Sequence, residues 1–203
     1  LMKLALVTGA AGGLGKEICQ TLATKGFKIV ALDLLTTEAL KTSLADLKDN
    51  LFLAIGGVDF SKPETIKVAL AEFLPNKNWT VLVNNAGLSV GGKLLDGTLD
   101  QWNLMLNVNL TAPFVLTQLF AQNAQEFGLK GSIVNISSMV GVIGAKKPGY
   151  AASKAGLLGL TKAVAMQAGP NIRCNAIYPG AMETPMTADW DAETRKKITA
   201  NTP

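Results

Sequence analysis

The sequence predicts an α/β protein built on a doubly wound parallel sheet with helices on both faces, a three-layer arrangement. Short aliphatic runs alternate with longer amphipathic segments along the whole chain. The hydrophobic fraction, 48% of 203 residues, suits strands that are buried on both faces. No repeat, low-complexity tract or linker interrupts the alternation, so we expect a single domain over residues 1–203.

Each element follows from its own run of residues. We predict strands at Lys3–Thr8, Lys28–Leu32, Leu51–Ile55, Trp79–Val83, Gly131–Ile136 and Ile172–Ile177. We predict helices at Leu14–Lys25, Thr37–Lys48, Pro63–Leu74, Thr98–Gln125 and Gly149–Gln167. Pro63 stands at the start of its helix, where a proline is tolerated. The long fourth helix is expected to break or bend around Asn109–Pro113.

The composition excludes several classes of active site. The chain contains no histidine, which rules out Ser-His-Asp hydrolysis, zinc sites built on histidine and dehydrogenases with a histidine proton acceptor. The two cysteines, Cys19 and Cys174, are expected to be buried free thiols and are too few for a structural zinc site. We therefore predict no metal, and any proton transfer must use Asp, Glu, Lys, Tyr or Cys.

The charge pattern favours a solvated surface over a nucleic-acid site. The net charge is +4, and the lysines are scattered, with pairs only at Lys146–Lys147 and Lys196–Lys197. No apolar run approaches the roughly 18 residues of a membrane span, and the first residues lead directly into a strand-like pattern. We therefore expect no membrane segment, no signal peptide and a cytoplasmic location.

A glycine-rich turn, T-G-A-A-G-G-L-G over Thr8–Gly15, joins the first strand to the first helix. Glycines at such a junction let main-chain amides approach a pyrophosphate, which the helix N-terminus then stabilises. The spacing of Gly9, Gly13 and Gly15 differs from G-x-G-x-x-G, and the turn is not a P-loop because Glu17 follows Lys16. A tight connection without a ligand is the alternative interpretation.

Polar residues follow three more of the predicted strands, at the sheet edge where ligands of open α/β sheets bind. Asp33 ends the second strand and could accept hydrogen bonds from a ribose 2′-OH while repelling a 2′-phosphate, which predicts NAD in preference to NADP. Asp59 could bond an adenine edge or merely cap the Ser61–Pro63 turn. Asn84–Gly87 could face a ribose or simply form a good turn.

Tyr150 and Lys154 lie four residues apart in the last predicted helix, so their side chains share one face. Lowering a phenol pKa from about 10 to about 7 takes roughly 4 kcal/mol. A cation about 4 Å away at an effective dielectric of about 20 supplies an energy of that order. The pair is therefore a candidate acid/base couple, and an ordinary solvated Tyr–Lys pair is the alternative.

Taken in order, these residues resemble the classical short-chain dehydrogenase/reductase family. The matching pieces are Thr8–Gly15, Asp33, Asp59, Asn84–Gly87, Asn109, Ser138, Tyr150-x-x-x-Lys154 and Pro179-Gly180. The resemblance covers essentially the whole chain. It implies a Rossmann-type fold and an oxidoreductase that interconverts a secondary alcohol and a ketone with NAD(P).

The resemblance also implies roles for individual residues. Tyr150 would be the general acid/base, Lys154 would lower its pKa and bond the nicotinamide ribose, Ser138 would polarise the carbonyl, and Asn109 would hold a water linked to Lys154. The residues implied to contact the cofactor are Gly9, Ala11, Gly12, Gly13, Leu14, Gly15, Asp33, Asp59, Asn85, Ala86, Gly87, Tyr150, Lys154, Pro179, Gly180 and Thr184. Asn109 could instead be a plain helix-bend residue, and Thr184 an N-cap before Pro185.

Ser137 and Ser138 compete for one role. The family pattern N-x-S-S-x-x-G falls on Asn135–Gly141 and selects Ser138, whereas counting back from Tyr150 selects Ser137, because the intervening loop is one residue short. The two side chains point to opposite faces if the segment is extended. We favour Ser138, since a deletion in the Gly144–Gly149 loop costs little.

The resemblance leaves the substrate and the assembly open. Mostly apolar segments, Leu88–Asp96, Val140–Gly149 and Ala181–Trp190, suggest a modestly hydrophobic substrate, as in 3-oxoacyl-thioester reductases and hydroxyacyl or hydroxysteroid dehydrogenases. They contain no arginine, which disfavours a small free carboxylic acid. Family members usually continue into a seventh strand at the subunit interface, so we expect a homo-oligomer, dimer or tetramer, if the C-terminus is complete. A dinucleotide-binding sensor or scaffold without turnover is the alternative.

Overall fold

A computed structural model of the chain describes residues 3–71, 73, 79–184, 187, 188 and 190–200. Its strands form one parallel six-stranded sheet in the order β3-β2-β1-β4-β5-β6. The strands are β1 Leu4–Thr8, β2 Lys28–Leu32, β3 Leu51–Ile55, β4 Trp79–Asn84, β5 Gly131–Ile136 and β6 Ile172–Ile177. The order reverses between β1 and β4, which is the switch point of a doubly wound fold. The predicted fold class is confirmed.

The helices alternate with the strands along the chain. They are α1 Gly13–Thr24, α2 Thr37–Ser43, α3 Ile66–Ala69, α4 Leu99–Leu106, α5 Ala112–Glu126, α6 Val140–Ile143, α7 Pro148–Ala168 and α8 Ala192–Ala200. Two 3₁₀ turns, Ala45–Asn50 and Pro63–Thr65, and one π-helical turn, Asn107–Thr111, complete the set. Both α6 and α8 lie in stretches for which the sequence predicted no element.

The core has two parts, one on each face of the sheet, because side chains alternate along every strand. In β1, Leu4 and Leu6 pack into one cluster, whereas Ala5 and Val7 pack into the other. Trp79 is fully buried in the first cluster, where its ring meets Phe120 edge to face at 5.0 Å between centroids. Every residue of β1 is buried. This double-sided burial explains the high hydrophobic fraction of the sequence.

Two predicted helices end earlier than the sequence pattern suggested. The helix predicted over Thr37–Lys48 ends at Ser43, and the chain continues in a 3₁₀ turn in which Lys48 has a φ of 49°. The α-helix ends where Leu44, with a φ of −106° and a ψ of 17°, leaves the α-helical conformation. The helix predicted over Pro63–Leu74 is a 3₁₀ turn followed by Ile66–Ala69, and its predicted end at Leu74 lies outside the described residues.

The predicted bend in the long fourth helix is a π-helical turn over Asn107–Thr111, between α4 and α5. Pro113 follows it and has no N–H to donate to a preceding carbonyl, so the regular hydrogen-bond ladder is interrupted there. Asn109, at the middle of the turn, is completely buried. The turn therefore directs a polar side chain into the protein rather than marking a loop.

The continuous helical stretch Leu99–Glu126 is long and apolar enough, by length and composition, to cross a membrane. Half of its most apolar window is buried within the protein. A helix that covers a parallel sheet needs such an apolar surface. The stretch is thus explained by its packing against the sheet, through Leu116 and Phe120 among others.

Candidate active site

The glycine-rich turn forms a cradle, and two of its positions accept only glycine. Gly9 has a φ of +60°, which favours glycine. A Cβ on Gly15 would collide with the Gly9 carbonyl oxygen. Helix α1 begins at Gly13 after the N-cap Gly12, with no acidic residue in its first turn. Its free N–H groups and the positive end of its dipole therefore fit the pyrophosphate of a dinucleotide.

The cradle is joined to the end of β4 across the switch point. The Thr8 hydroxyl accepts hydrogen bonds from the amides of Asn85 and Ala86, at 3.0 and 2.9 Å. The Asn85 side chain donates to the carbonyls of Thr8 and Gly9, at 2.9 and 3.1 Å. Asn85 and Ala86 thus lie beside the cradle, the Asn85 side-chain amide bonds the protein, and their contact with a ribose stays a prediction. Thr8 was not assigned a role from the sequence.

Asp33 is oriented by main-chain amides at the end of β2. Its Oδ2 accepts from Ala11 at 3.0 Å, and its Oδ1 accepts from Leu35 at 3.2 Å. Each carboxylate oxygen has capacity for a further hydrogen bond. The side chain is half-buried at the mouth of the cradle. This placement fits the hydroxyls of a ribose bound next to the glycine-rich turn.

Asp59 is engaged by its own turn. Its Oδ1 accepts from the Ser61 hydroxyl at 2.6 Å and from the Ser61 amide at 3.0 Å. Its Oδ2 lies 3.6 Å from the Lys62 ammonium. The Ser61 hydroxyl, more than the lysine, lowers the pKa of the carboxyl below its ordinary value. Of the two interpretations left open by the sequence, the turn cap is the one realised in these contacts, and adenine binding stays a prediction.

The two adjacent serines have different partners. The Ser137 side chain is buried and donates to the Lys154 carbonyl at 2.8 Å, which fastens the end of β5 to helix α7. The half-buried Ser138 hydroxyl instead accepts from the Val140 amide at 3.4 Å and lies close enough to the Tyr150 phenol to lower its pKa. The shorter loop before Tyr150 therefore does not bring Ser137 to the phenol. These partners favour Ser138 over Ser137, and its catalytic role stays a prediction.

Lys154 is buried, with its Nζ donating to the Ile136 carbonyl at 2.8 Å. Burial lowers the pKa of Lys154 to about 8. A Cβ on Gly87 would lie 3.2 Å from this Nζ and 3.2 Å from the Asn109 Oδ1. The three residues therefore meet at one point, where the absence of a side chain on Gly87 leaves room for the ammonium group.

The phenol of Tyr150 is not yet activated in this structure. Burial raises the pKa of Tyr150 above its ordinary value, and the nearby Ser138 hydroxyl opposes that effect only in part. The Lys154 Nζ lies 5.9 Å from the centre of the Tyr150 ring and is directed at Ile136. The expectation that Lys154 lowers this pKa is therefore not met here, because the ammonium bonds a carbonyl instead of approaching the phenol.

Asn109 is held by protein groups on every side. Its Oδ1 accepts from the Leu88 amide at 2.9 Å, and its Nδ2 donates to the Leu88 carbonyl at 2.9 Å and to the Ser153 hydroxyl at 3.0 Å. Both amide protons are thus used, and its role in holding a water stays a prediction. Sequence reasoning missed Ser153, which also donates to the Tyr150 carbonyl. Its spacing of three residues from Tyr150 in a helix was the available signal.

The remaining predicted residues lie on the segment after β6. The Pro179 carbonyl accepts from the Met139 amide at 3.0 Å, which holds this segment next to the Ser138 region. Gly180 has open space where a side chain would be. Thr184 pairs with Thr187 in a turn, and its hydroxyl has no described contact with Tyr150 or Lys154. The structure therefore brings Pro179 to the site through its neighbour and leaves Thr184 apart.

A dinucleotide cradle next to a tyrosine that can transfer a proton defines a class of protein, the nicotinamide-dependent oxidoreductases. Comparison with known proteins narrows this class. A model of the short chain dehydrogenase family matches residues 3–195, and the chain belongs to that family. It is an NAD(P)-dependent dehydrogenase that acts on hydroxyl groups.

Several characterised relatives match most of the chain. Trans-4-hydroxycyclohexanecarboxylate dehydrogenase of Sinomonas cyclohexanicum is 38% identical over 198 residues, which cover 92% of this chain and 74% of the relative. The 3-alpha-(or 20-beta)-hydroxysteroid dehydrogenase of Mycobacterium bovis is 38% identical over 199 residues, covering 94% of this chain and 73% of the relative.

Solved structures share the whole fold. One is a crystal structure from Beutenbergia cavernae, assigned as an NAD(P)-dependent gluconate 5-dehydrogenase, which holds NADP at low occupancy. It superposes on this chain with a TM-score of 0.91 and 32% sequence identity, and the match covers 99% of this chain and 82% of that one. A 4-hydroxyisoleucine dehydrogenase complexed with NADH superposes with a TM-score of 0.85 and 32% sequence identity. The match covers 98% of this chain and 80% of that one.

Proposed function

We propose that this dehydrogenase interconverts a secondary alcohol and a ketone, with Tyr150 as the general acid/base and NAD as the preferred cofactor. The observation that carries the proposal is the position of Tyr150, whose ring centre lies 5.9 Å from the Nζ of the buried Lys154 and whose pKa the nearby Ser138 hydroxyl lowers. A protein that only binds a dinucleotide has no need for this arrangement.

The residues divide the work of proton transfer. The nicotinamide, when bound, supplies or accepts the hydride. The raised pKa of Tyr150 keeps its phenol protonated at neutral pH, so it can donate a proton to a ketone oxygen. The Ser138 hydroxyl orients and polarises that oxygen. The phenolate left after this donation is stabilised by the positive charge of Lys154, and in the oxidative direction the same phenolate accepts the hydroxyl proton of the alcohol and returns to the phenol.

The cradle residues fit the rest of the dinucleotide. Gly9, Gly12 and Gly15 would let the pyrophosphate approach the first amides of α1. Asp33 would accept hydrogen bonds from the adenine-side ribose, and its negative charge would repel the 2′-phosphate of NADP. This repulsion supports the preference for NAD. The relatives with NADP and with NADH in their crystals are consistent with either cofactor.

The substrate is proposed to carry an apolar body. Several apolar side chains of the substrate-facing segments are exposed, among them Leu94, Leu95, Val142, Ile143 and Met182. The names of the relatives describe hydroxylated rings, steroids, acyl thioesters, sugar acids and an amino acid. We take trans-4-hydroxycyclohexanecarboxylate as a first test compound, because the named relative acts on it.

The catalytic assignment is tested by replacing Tyr150 with Phe and following NADH absorbance in a screen of alcohols and ketones. Removing the proton donor is expected to lower kcat by about 10²- to 10⁴-fold while NADH binding is retained. Ser138→Ala should lower kcat in the same direction. Substantial turnover by Tyr150→Phe would contradict the acid/base role. NADH binding without turnover by the unmodified protein would instead favour a dinucleotide sensor.

The cofactor preference is tested by comparing the Kd values of NADH and NADPH for the unmodified protein and for Asp33→Asn. The asparagine keeps the size and one acceptor oxygen of the aspartate but removes its charge. We expect NADH to bind more tightly to the unmodified protein, and the asparagine to narrow the difference by strengthening NADPH binding about tenfold. Tighter binding of NADPH by the unmodified protein would overturn the argument from Asp33.

A further inference from the structure

Lys147 connects the start of helix α7, which carries Tyr150, to the segment that follows β4. It directly precedes α7 as the N-cap residue. Its Nζ donates a hydrogen bond to the Ser89 carbonyl at 3.1 Å, across 58 positions of sequence. The side chain is half-buried, whereas that of the adjacent Lys146 is exposed. The two lysines of this pair are therefore not equivalent.

The acceptor of this bond lies at a fixed place relative to the catalytic lysine. Gly87 abuts the Lys154 ammonium, both main-chain polar groups of Leu88 bond the Asn109 side chain, and Ser89 comes next. An extended chain advances about 3.3 Å per residue. The short segment from Gly87 to Ser89 therefore separates the ammonium groups of Lys154 and Lys147 by a distance on the order of 10 Å.

The Lys147 ammonium has unused capacity to bind an anion. An ammonium group carries three donors, and one of them is used by Ser89. Among the described residues, the ion pairs within 4.0 Å do not include Lys147. Of the carboxylates in the neighbouring segments, that of Asp96 packs over Gly92, and that of Glu183 pairs with Arg195. Lys147 is thus a half-buried cation, three residues from Tyr150 in the chain, for which the described residues provide no counter-ion within 4.0 Å.

We propose that Lys147 binds a carboxylate of the substrate, so that the substrate is a hydroxy acid or keto acid whose reacting carbon lies several bonds from the acid group. This inference rests on the proposed function, because it concerns the substrate of the same site. The bond to Ser89 orders the long lysine side chain in advance, which reduces the entropy lost on binding. The lack of arginine in the substrate-facing segments had disfavoured a free carboxylic acid as the substrate. Lys147, held by its bond to Ser89, supplies the positive charge instead.

The proposal is tested with two matched compounds, trans-4-hydroxycyclohexanecarboxylate and its carboxamide, which differ in the charge of one group. The unmodified enzyme should favour the acid by about tenfold in kcat/KM, through KM, the size expected for one charge-assisted hydrogen bond. Lys147→Met should abolish this preference by raising KM for the acid alone. Lys146→Met, the matched control, should keep it, and Lys147→Arg should retain most of it.

A binding measurement separates this proposal from the proposed function. The enzyme–NADH complex is titrated with cyclohexanecarboxylate and with cyclohexanecarboxamide, neither of which has a hydroxyl to oxidise. Tighter binding of the acid, lost in Lys147→Met but not in Lys146→Met, supports the role of Lys147 even if neither alcohol is turned over. Equal binding of acid and amide by the unmodified enzyme overturns the proposal. The proposal is also overturned if Lys147→Met weakens the binding of the acid and of the amide equally, since Lys147 would then only hold the segment at Ser89 in place.

Discussion

At the scale of single residues, the buried charge of Lys154 is expected to lower the stability of the folded protein. Lys154 is 4% exposed, and its ammonium has the Ile136 carbonyl at 2.8 Å as its described hydrogen-bond acceptor. Burial disfavours the charged form and lowers its pKa from 10.5 to about 8. At neutral pH the lysine is therefore still charged, at a cost in stability. Such a cost is common where a group is retained for chemistry.

The effect of the Lys154 charge on the free energy of unfolding depends on pH in a defined way. The folded pKa lies below the unfolded value, so the penalty is complete below about pH 8 and disappears as the pH rises towards 10.5. We expect the ligand-free Lys154→Met protein to be more stable than the unmodified protein by up to about 3 kcal/mol at pH 7. The difference in the free energy of unfolding should shrink steadily between pH 8 and pH 10.

Urea unfolding at pH 7, 8, 9 and 10 measures this difference. Lys162→Met, an exposed position in the same helix, is the matched control and should shift stability little at any of these values. Loss of stability in Lys154→Met, or a difference from the unmodified protein that does not vary with pH, would contradict the argument. The same variant should lack turnover, which separates the stability of the residue from its use.

At the scale of elements, helix α7 is fixed to the sheet by polar contacts as well as by apolar packing. The Asn135 side chain, in β5, donates to the Thr161 hydroxyl at 2.9 Å, and its oxygen accepts from Asn84 at 2.7 Å. Ser137 makes a second connection, to the Lys154 carbonyl. Because all these groups are buried, each lost partner leaves an unpaired donor or acceptor. The contacts thus fix the helix that carries Tyr150 and Lys154.

A matched pair of threonines tests this fixation. Thr161 and Thr42 both donate to the carbonyl four residues earlier in their helices, at 2.7 and 2.9 Å, but Thr161 is buried and Thr42 is exposed. Thr161→Val is expected to lower the free energy of unfolding by about 1–3 kcal/mol, because the Asn135 amide loses its best acceptor. Thr42→Val should cost under about 0.5 kcal/mol.

Urea unfolding under identical conditions compares the two variants. After the loss of the Thr161 hydroxyl, the Asn135 amide retains only the Cys174 sulfur at 3.7 Å, a weak acceptor. Equal effects of the two substitutions would show that the buried contact with Asn135 adds nothing. A lower kcat of Thr161→Val, at temperatures where this variant remains folded, would further indicate that the contacts between α7 and the sheet position Tyr150.

At the scale of the whole molecule, the two halves of the sheet supply different parts of the site. Strands β1 and β2 carry the glycine-rich cradle and Asp33, whereas β4 and β5 with α7 carry the groups that we propose transfer the proton. The halves join where Thr8 bonds the amides after β4. A dinucleotide that spans the switch point would therefore reach from the cradle to Tyr150, as open α/β sheets generally allow.

The sequence by itself determined the features that depend on neighbouring residues. Runs of aliphatic residues located the strands: β1 is buried on both faces, whereas β6 alternates buried and exposed residues. The spacing of Tyr150 and Lys154 placed them on one helix face, and the glycines before α1 indicated a phosphate cradle. The helix after Thr37 was predicted too long, because the apolar pattern of Leu40, Leu44 and Leu47 continues past the point where Leu44 leaves the α-helical conformation.

Only the tertiary structure decided what depends on groups far apart in the chain. It distinguished Ser137 from Ser138 through their partners in α7, and it engaged Asp59 in its own turn. It also brought Lys147 to Ser89, which no local pattern in the sequence indicated. The physical reason is common to all three. Burial and hydrogen-bond partners set the direction and the charge of a side chain, and both arise only when distant segments pack together.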